Sequence, residues 1–592
     1  MAPLPQRKTF RAVLIKPSHY DDDGYVIQWV RSGLPANSLA CVYALVEDCA
    51  RRGVLGEDVD FEVIPYDETN TIIRVNRIIR DLKRADAGFV GLVGVQSNQF
   101  PRASDLARQF RAAGIPVVIG GFHVSGCLAM LPELPDDIKA AQAMGVTLFA
   151  GEAEGRMDGL LRDIWHGRLK PLYNFMNDLP EMSRAVPPFL PRAAVKKTMR
   201  DYSSFDAGRG CPFQCSFCTI INVQGRKSRY RTPDDIEAII RANEAVGIRR
   251  FFITDDNFAR NKNWEAILDR LIDLRENQGF RFKFTIQVDT LCHRMPNFIE
   301  KAARAGCNRV FIGLENIDPD ALMAAKKRQN KIWEYRKMLQ AWKDVGATTY
   351  AGYIIGFPED TPEKIRRNIE IIKRELPLDL LEFFFLTPLP GSEDHKVLAS
   401  KGVWMDPDMS KYDLNHRVSH HPKMTDAEWE GIYRECWDIF FNAEHLETVL
   451  RRGAARNVNI KTLFGAYAGF QAAIKVEKLH PLEGGIFRRK VRTQRRQGLP
   501  RVHPLVFYPH RVYETTRSII AMAGLYLRCR RVWKRVAQDP NRRAYTDLAL
   551  QPSTEDESTD LMATFGEAIP DTYGAPVKRR RPAVLAPVAS AG

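Results

Sequence analysis

The stretch AGRGCPFQCSFCTI, residues 207–220, sets Cys211, Cys215 and Cys218 within eight residues of one another. Three thiols that close point to a metal. A structural zinc site asks for a fourth Cys or His at ligand spacing, and the next candidates, Cys292 and His293, lie far downstream. On a four-iron cluster, three thiolates leave one iron open to a small-molecule ligand, whereas a fully ligated electron carrier uses four. The trio therefore predicts iron that takes part in substrate chemistry.

Outward from the cysteines the chain reads as α/β. Downstream, to about Pro390, the apolar runs FFITD, FKFTIQVD, RVFIGLE, TTYAGYIIG and LLEFFFLTPL alternate with helix-like stretches. That rhythm predicts a complete or partial (β/α) barrel, whose working residues sit at C-terminal strand ends. The runs stop at Asp255 and Asp256, Gln287 and Asp289, Glu315, Glu359 and Thr387. Upstream, from Phe10 to about Trp165, the runs RAVLIKP, FEVIPYD, GFVGLVGV, IPVVIGG and VTLFAGE alternate in the same way and predict a doubly wound, Rossmann-like parallel sheet. Gly120 and Gly121 follow the run Val117 to Ile119, where a ligand would approach backbone. Pro171, Pro180, Pro187, Pro188 and Pro191 mark an extended connection. The expected organisation is a Rossmann-like domain over 1–166, a linker over 167–200, a barrel over 201–425, a helical basic region over 426–551 and a disordered tail over 552–592.

The C-x3-C-x2-C spacing, with Phe217 directly before the last cysteine, resembles the signature of radical S-adenosylmethionine enzymes. The resemblance implies a 4Fe-4S cluster on Cys211, Cys215 and Cys218. S-adenosylmethionine chelates the open iron through its amino and carboxylate groups, and reductive cleavage yields a 5'-deoxyadenosyl radical. It extends over about 203–395: GYIIGFPE (Gly352 to Glu359) resembles the family's GxIxGxxE element, FIGLE (Phe311 to Glu315) the fourth-strand element and FITDDNF (Phe252 to Phe258) the second. By that resemblance Phe217, Asp255, Gln287, Glu315, Gly352, Gly356 and Glu359 would position the adenosyl donor, with Tyr353 and Phe384 as wall residues.

With an α/β unit ahead of the barrel, the chain is similar to the cobalamin-binding radical S-adenosylmethionine enzymes. IGGFHVS and FAGEAEG resemble their G-x-H and G-E-x-E stretches, which implies corrin contacts at Gly120, Gly121, His123, Gly151 and Glu152, with Glu154 alongside. The D-x-H-x-x-G pattern that presents histidine to cobalt is missing, so a His-ligated cobalamin is not expected. The resemblance implies methylation of an unactivated carbon of a small-molecule or lipid-like substrate, fed by an external electron donor such as flavodoxin or ferredoxin. The alternatives are a corrin-free radical oxidase, cyclase or rearrangement enzyme, a methylthiotransferase, and a non-enzymatic iron-sulfur scaffold. A methylthiotransferase expects three more cluster cysteines upstream, and the neighbours of Cys41, Cys49 and Cys127 do not resemble them.

Across 592 residues, 45% hydrophobic and 27% charged, no run approaches the roughly 20 apolar residues of a membrane span. The start MAPLPQRKTFRAVLIKP has no apolar signal core, which places the ten cysteines in a reducing cytoplasm. The net charge of +15 is concentrated in residues 451–540, with 20 Lys and Arg against 4 Asp and Glu. There Tyr513 to Val536 reads as a basic amphipathic helix, with Arg517, Arg528, Arg531 and Arg535 on one stripe and Ile519, Met522, Tyr526 and Trp533 opposite. Such a helix either docks on the protein or lies on the inner face of an anionic membrane. The clusters Arg488 to Lys490 and Arg492 to Arg496 suit phosphates, but no RNA-binding module accompanies them, and nucleic acid is not expected as a partner.

Overall fold

The structure, a computed structural model, describes residues 7–552 and 559–561. Most of the expected disordered tail, 552–592, lies outside the described residues. Within it, Asp560 and Leu561 donate backbone N–H groups to the Glu375 carboxylate at 3.2 and 3.1 Å.

The N-terminal sheet has six parallel strands in the order Val59–Asp67, Lys8–Lys16, Ala87–Leu92, Val117–Gly120, Thr147–Ala150 and Leu172–Asn174. Alternate residues of the first strand feed two cores. Phe10, Ala12 and Leu14 join a cluster shared with the helices Asn37–Arg51 and Met157–Trp165. Val13 and Ile15 join another with Val75–Leu82 and Phe100–Ala112. A sheet buried on both faces reads as continuous apolar runs, which is why its strands were visible in the sequence. The strand order reverses between Lys8–Lys16 and Ala87–Leu92, and at such a switch point a crevice opens beyond the carboxyl ends of the strands. The sixth strand lies past residue 166, inside the segment expected as linker; three residues are too few to carry a period.

The second sheet also has six parallel strands, here in sequential order: Tyr202–Phe205, Arg250–Ile253, Lys283–Val288, Cys307–Glu315, Thr348–Ile355 and Leu380–Phe385. The first and last are not paired, so the barrel is partial. Its apolar core is continuous with the Phe10 side of the first sheet.

Beyond the barrel come the helices Asp426–Phe440, Ala443–Ala455 and Ile460–Ala472, then the 35-residue helix Pro504–Gln538. The chain first returns to the N-terminal unit, where Gly485–Arg489 pairs antiparallel with Gln28–Ser32. The basic clusters are largely spent on this return: Arg488 bonds Asp21 at 2.7 Å, Lys490 bonds Asp23 at 2.9 Å and Arg496 bonds Asp408 at 2.6 Å. The long helix docks through Leu525, Cys529, Val532 and Val536, with Trp533 and Tyr526 of the expected face set against Phe464, while Ile519 stays exposed.

Candidate active site

The cysteine loop leaves the first barrel strand and is framed by the short antiparallel pair Gly208–Arg209 and Arg229–Tyr230. The Cys211 N–H donates to the Gly225 carbonyl at 3.2 Å, and the Cys218 N–H to the Cys215 carbonyl at 3.2 Å. Ser216 donates to Ala325 and accepts from the Asp394 N–H, both at 3.1 Å, so the loop is held from opposite sides. The Cys215 sulfur accepts a hydrogen bond from Gln329 at 3.5 Å, a contact that favours a thiolate there. Burial raises the Cys211 thiol to about 11 and Cys218 to about 12, so in the absence of metal both stay protonated at neutral pH. Three thiols on one eight-residue loop are a soft donor set, and such donors fit an iron-sulfur cubane.

Glu315 ends the fourth barrel strand in a left-handed conformation (φ +61°), beside a break in the pairing register. A non-glycine residue held there stores strain that cores do not need. Its carboxylate pairs with buried Lys327, whose ammonium lies 5.8 Å from the Phe217 ring centroid. Burial works against the Lys327 charge, but Glu315 and the Cys215 sulfur outweigh it and raise the pKa. Lys327 and Gln329 carry no motif in the sequence; only the fold brings them to the cysteines.

Phe217, Phe311, Glu315, Ile354, Phe384 and Thr387 form one wall of a cavity of about 690 Å³. The opposite wall is the strand-end region of the N-terminal sheet, including Lys16, Gly94 and Gln96 to Gln99. A third wall comes from Tyr412 to Leu414 and Leu482 to Gly484. Beside it, in the first sheet's crevice, a cavity of about 180 Å³ is lined by Leu14, Val42, Phe89 and Val118 together with Gly91, Gly94, Gly120, Gly121 and Gly151. Gly121 (φ +146°) is obligatory, because a Cβ there would lie 2.2 Å from the Val95 nitrogen.

Several expected site residues stand elsewhere. Asp255 is buried and accepts hydrogen bonds from the Ala207 and Gly208 N–H groups at 2.7 and 2.9 Å, so it anchors the root of the cysteine loop. Burial pushes its carboxyl up to about 7. Gln287 donates to the Asp255 carbonyl at 3.2 Å and braces the same root. Glu359 is exposed and paired with Lys423, because the chain after Gly356 turns outward. The missing side chain of Gly356 makes room for Trp429, not for a ligand. Gly352 does not line the cavity itself but lies behind its wall, against Phe311 and Phe384, which do. Tyr353 is wholly buried, its hydroxyl bonded to Asn316 and Asn368, and is not a wall residue, whereas Phe384 is. His123 is also interior: its ring bonds Ser97 at 3.1 Å and Asp137 at 3.0 Å and packs 4.4 Å from Phe100. Glu152 lines the smaller cavity, but its carboxylate is engaged by Arg209 at 2.6 Å and by Arg229.

A loop of three thiols at the mouth of a six-stranded partial barrel defines the class: residues 207–372 match the Radical SAM superfamily, and the central part of the chain is a radical S-adenosylmethionine domain, which implies a 4Fe-4S cluster and S-adenosylmethionine. Among particular proteins, the chain is 29% identical over 352 residues to bacteriochlorophyllide d C-8(2)-methyltransferase of Chlorobaculum tepidum, a match covering 56% of this chain and 73% of that protein. It is 27% identical to hopanoid C-2 methylase of Rhodopseudomonas palustris, over 52% of this chain and 57% of the other. The fold is similar to TsrM of Kitasatospora setae, a radical S-adenosylmethionine methyltransferase solved with cobalamin and a [4Fe-4S] cluster bound, with a TM-score of 0.55 at 15% identity, covering 77% of this chain and 97% of that one.

Proposed function

We propose that this chain is a cobalamin-dependent radical S-adenosylmethionine methyltransferase that methylates an unactivated carbon of a small-molecule or lipid-like substrate. The observation that carries the reading is the 690 Å³ cavity, walled by the cluster loop and barrel on one side and by the strand ends of the first sheet on the other. A substrate there faces both cofactor sites at once, which is the positional requirement of the reaction. When bound, the cluster with S-adenosylmethionine supplies a carbon-centred radical and cobalamin supplies the methyl group. The protein's part is placement and exclusion of water. Cys211, Cys215 and Cys218 hold the cluster, and Glu315 and Lys327 set a polar edge beside it. Phe311, Ile354 and Phe384 keep the reacting carbon dry, and Gly352, behind the wall, leaves room for the rings of Phe311 and Phe384. The glycine-lined crevice, with no aimed histidine, suits a corrin held by backbone and shape.

The two relatives named above are named for methylation of bacteriochlorophyllide d and of hopanoids at numbered carbons, which supports carbon methylation of a small-molecule or lipid-like substrate. Contact with an anionic membrane surface fits the long C-terminal helix, whose outer side leaves Leu505, Val512 and Ile520 more than half exposed. No described helix is long and apolar enough to cross a membrane. Electrons for the cluster would come from an external carrier.

Anaerobic reconstitution tests the reading. About four irons per chain, deoxyadenosine formation with a strong reductant, and stoichiometric hydroxocobalamin binding are expected. Cys215→Ala removes the iron and the deoxyadenosine. An intact cluster that cleaves S-adenosylmethionine but binds no corrin would instead favour a radical oxidase, cyclase or rearrangement enzyme.

A further inference from the structure

The third wall of the large cavity holds a group of side chains that neither the cluster nor the corrin crevice uses. His19 stands just beyond the first strand, Asp413 in the loop after the barrel and Glu483 in the turn Pro481–Glu483, so three distant segments converge. One ligand atom from each, an imidazole nitrogen and two carboxylate oxygens, lies within 4.8 Å of the others, the sole such group among the described residues. His19 is 6% exposed and Asp413 7%. The His19 Nε2 is 3.2 Å from Glu483 Oε1, yet neither Nε2 nor Glu483 Oε2 has a hydrogen-bond partner. Buried polar atoms left unsatisfied at a cavity wall mark a missing partner.

The supports around the trio are built. His416 Nδ1 bonds Asp413 at 2.9 Å while its Nε2 lies 3.2 Å from Asp22, and the Asn415 N–H fixes Asp413 Oδ1 at 2.8 Å. Trp29 donates to the Glu483 carbonyl at 2.9 Å, and the Ile27 N–H donates to the His19 carbonyl at 2.9 Å. The contacts to the Asp413 carboxylate are of the kind that orient a metal ligand, and those to the backbone of His19 and Glu483 fix where these two residues stand. The cation facing the same space, Lys16, is 3.9 Å from Asp67.

We infer that His19, Asp413 and Glu483 form a binding site for a divalent transition-metal ion, such as Zn²⁺, in the wall of the substrate cavity. One imidazole and two carboxylates match the borderline character of such ions, and three protein ligands leave a coordination position facing the cavity. That position would hold an oxygen or nitrogen donor of the substrate; this use rests on the function proposed above, whereas metal binding does not.

The test is a metal count on the full chain. Anaerobically reconstituted protein is equilibrated with chelator-buffered Zn²⁺ and gel-filtered, and zinc and iron are measured together. About one Zn²⁺ per chain is expected with the iron unchanged. His19→Ala and Glu483→Gln should each weaken zinc binding at least about tenfold, and His420→Ala, at an exposed histidine, should not. No zinc retained, or retention equal in all three variants, overturns the site. Should His19→Ala lose its iron, the near-isosteric Glu483→Gln decides. Deoxyadenosine formation without substrate reports separately on the radical chemistry, so failure of the zinc site is distinguishable from failure of the proposed function.

Discussion

Gly352 and Gly356 occupy one motif and lack side chains for different reasons. At Gly356 a Cβ would lie 2.1 Å from the Trp429 ring, on a backbone at φ +112°. Gly356→Ala should therefore cost about 3 kcal/mol of stability, read as a lowered urea midpoint, and its effect on cofactor affinity should be secondary. At Gly352 the added methyl would meet Phe384 at 3.0 Å and Phe311 at 3.2 Å, both rings of the cavity wall. Gly352→Ala should fold with a normal iron count and instead weaken ligand binding in the cavity. Glu359→Ala removes an exposed ion pair and should leave S-adenosylmethionine binding unchanged by calorimetry, contrary to what the motif implies. The three cysteines were legible because their spacing lies within eight residues of chain and needs no fold to be read. Glu359, Asp255 and His123 were not, because a polar residue after a strand reads the same whether the loop turns toward a ligand, into the core or out to water.

At the scale of elements, strands buried on both faces announced themselves, and what escaped was direction. The barrel strand Leu380–Phe385 reads as one apolar run interrupted by Glu382, which is fully buried with neither carboxylate oxygen partnered. Burial pushes its carboxyl up to about 8 from 4.5. The folded chain thus keeps a proton that the unfolded chain releases above pH 4.5. The stability this proton confers is complete below that value and is lost as pH rises toward 8. Between pH 5 and 8 the native chain should lose about 2–5 kcal/mol more stability than Glu382→Gln, measured by urea unfolding of both. The helix Pro504–Gln538 is a second case. Its amphipathic period was visible, but not which face would dock. With Leu525, Cys529, Val532 and Val536 against the protein, two neighbouring rows point away: Leu505, Val512 and Ile519, and Val506, Tyr513, Ile520 and Leu527. Arg530, Arg531 and Lys534 continue the same side. Apolar rows beside cations suit an anionic bilayer surface. Sedimentation with phosphatidylglycerol vesicles should carry the protein down, phosphatidylcholine vesicles should not, and the double change Val512→Glu with Ile520→Glu should reduce binding at least about tenfold with the iron count preserved.

At the scale of the whole molecule, two sheets that the sequence announced separately are joined by groups it could not pair. Arg209, two residues before the first cluster cysteine, reaches across to Glu152 and Glu154 at 2.6 Å each and also bonds Asp206 at 3.0 Å. Arg229, on the partner strand of the loop's frame, takes the other oxygen of Glu152. Burial opposes the Glu154 charge, yet Arg209 overcomes it and holds the carboxyl below its usual range. The stretch FAGEAEG thus serves as the acidic half of a buried clamp that fixes the crevice of the first domain against the cluster loop of the second. Removing Glu154 leaves Arg209 paired with Glu152 and Asp206 but strips charge-assisted bonds from a buried cluster, at a cost of about 1.5–3 kcal/mol. Since the bonds of Glu152 and Glu154 run to Arg209 and Arg229, Glu154→Ala should retain iron and cleavage of S-adenosylmethionine while the hold of the crevice on the cysteine loop loosens. If methyl transfer requires a substrate to face both halves of one cavity, product formation should fall by at least about tenfold as deoxyadenosine formation persists, an uncoupling read from the ratio of the two. Equal loss of both would mean that the clamp serves the cluster alone.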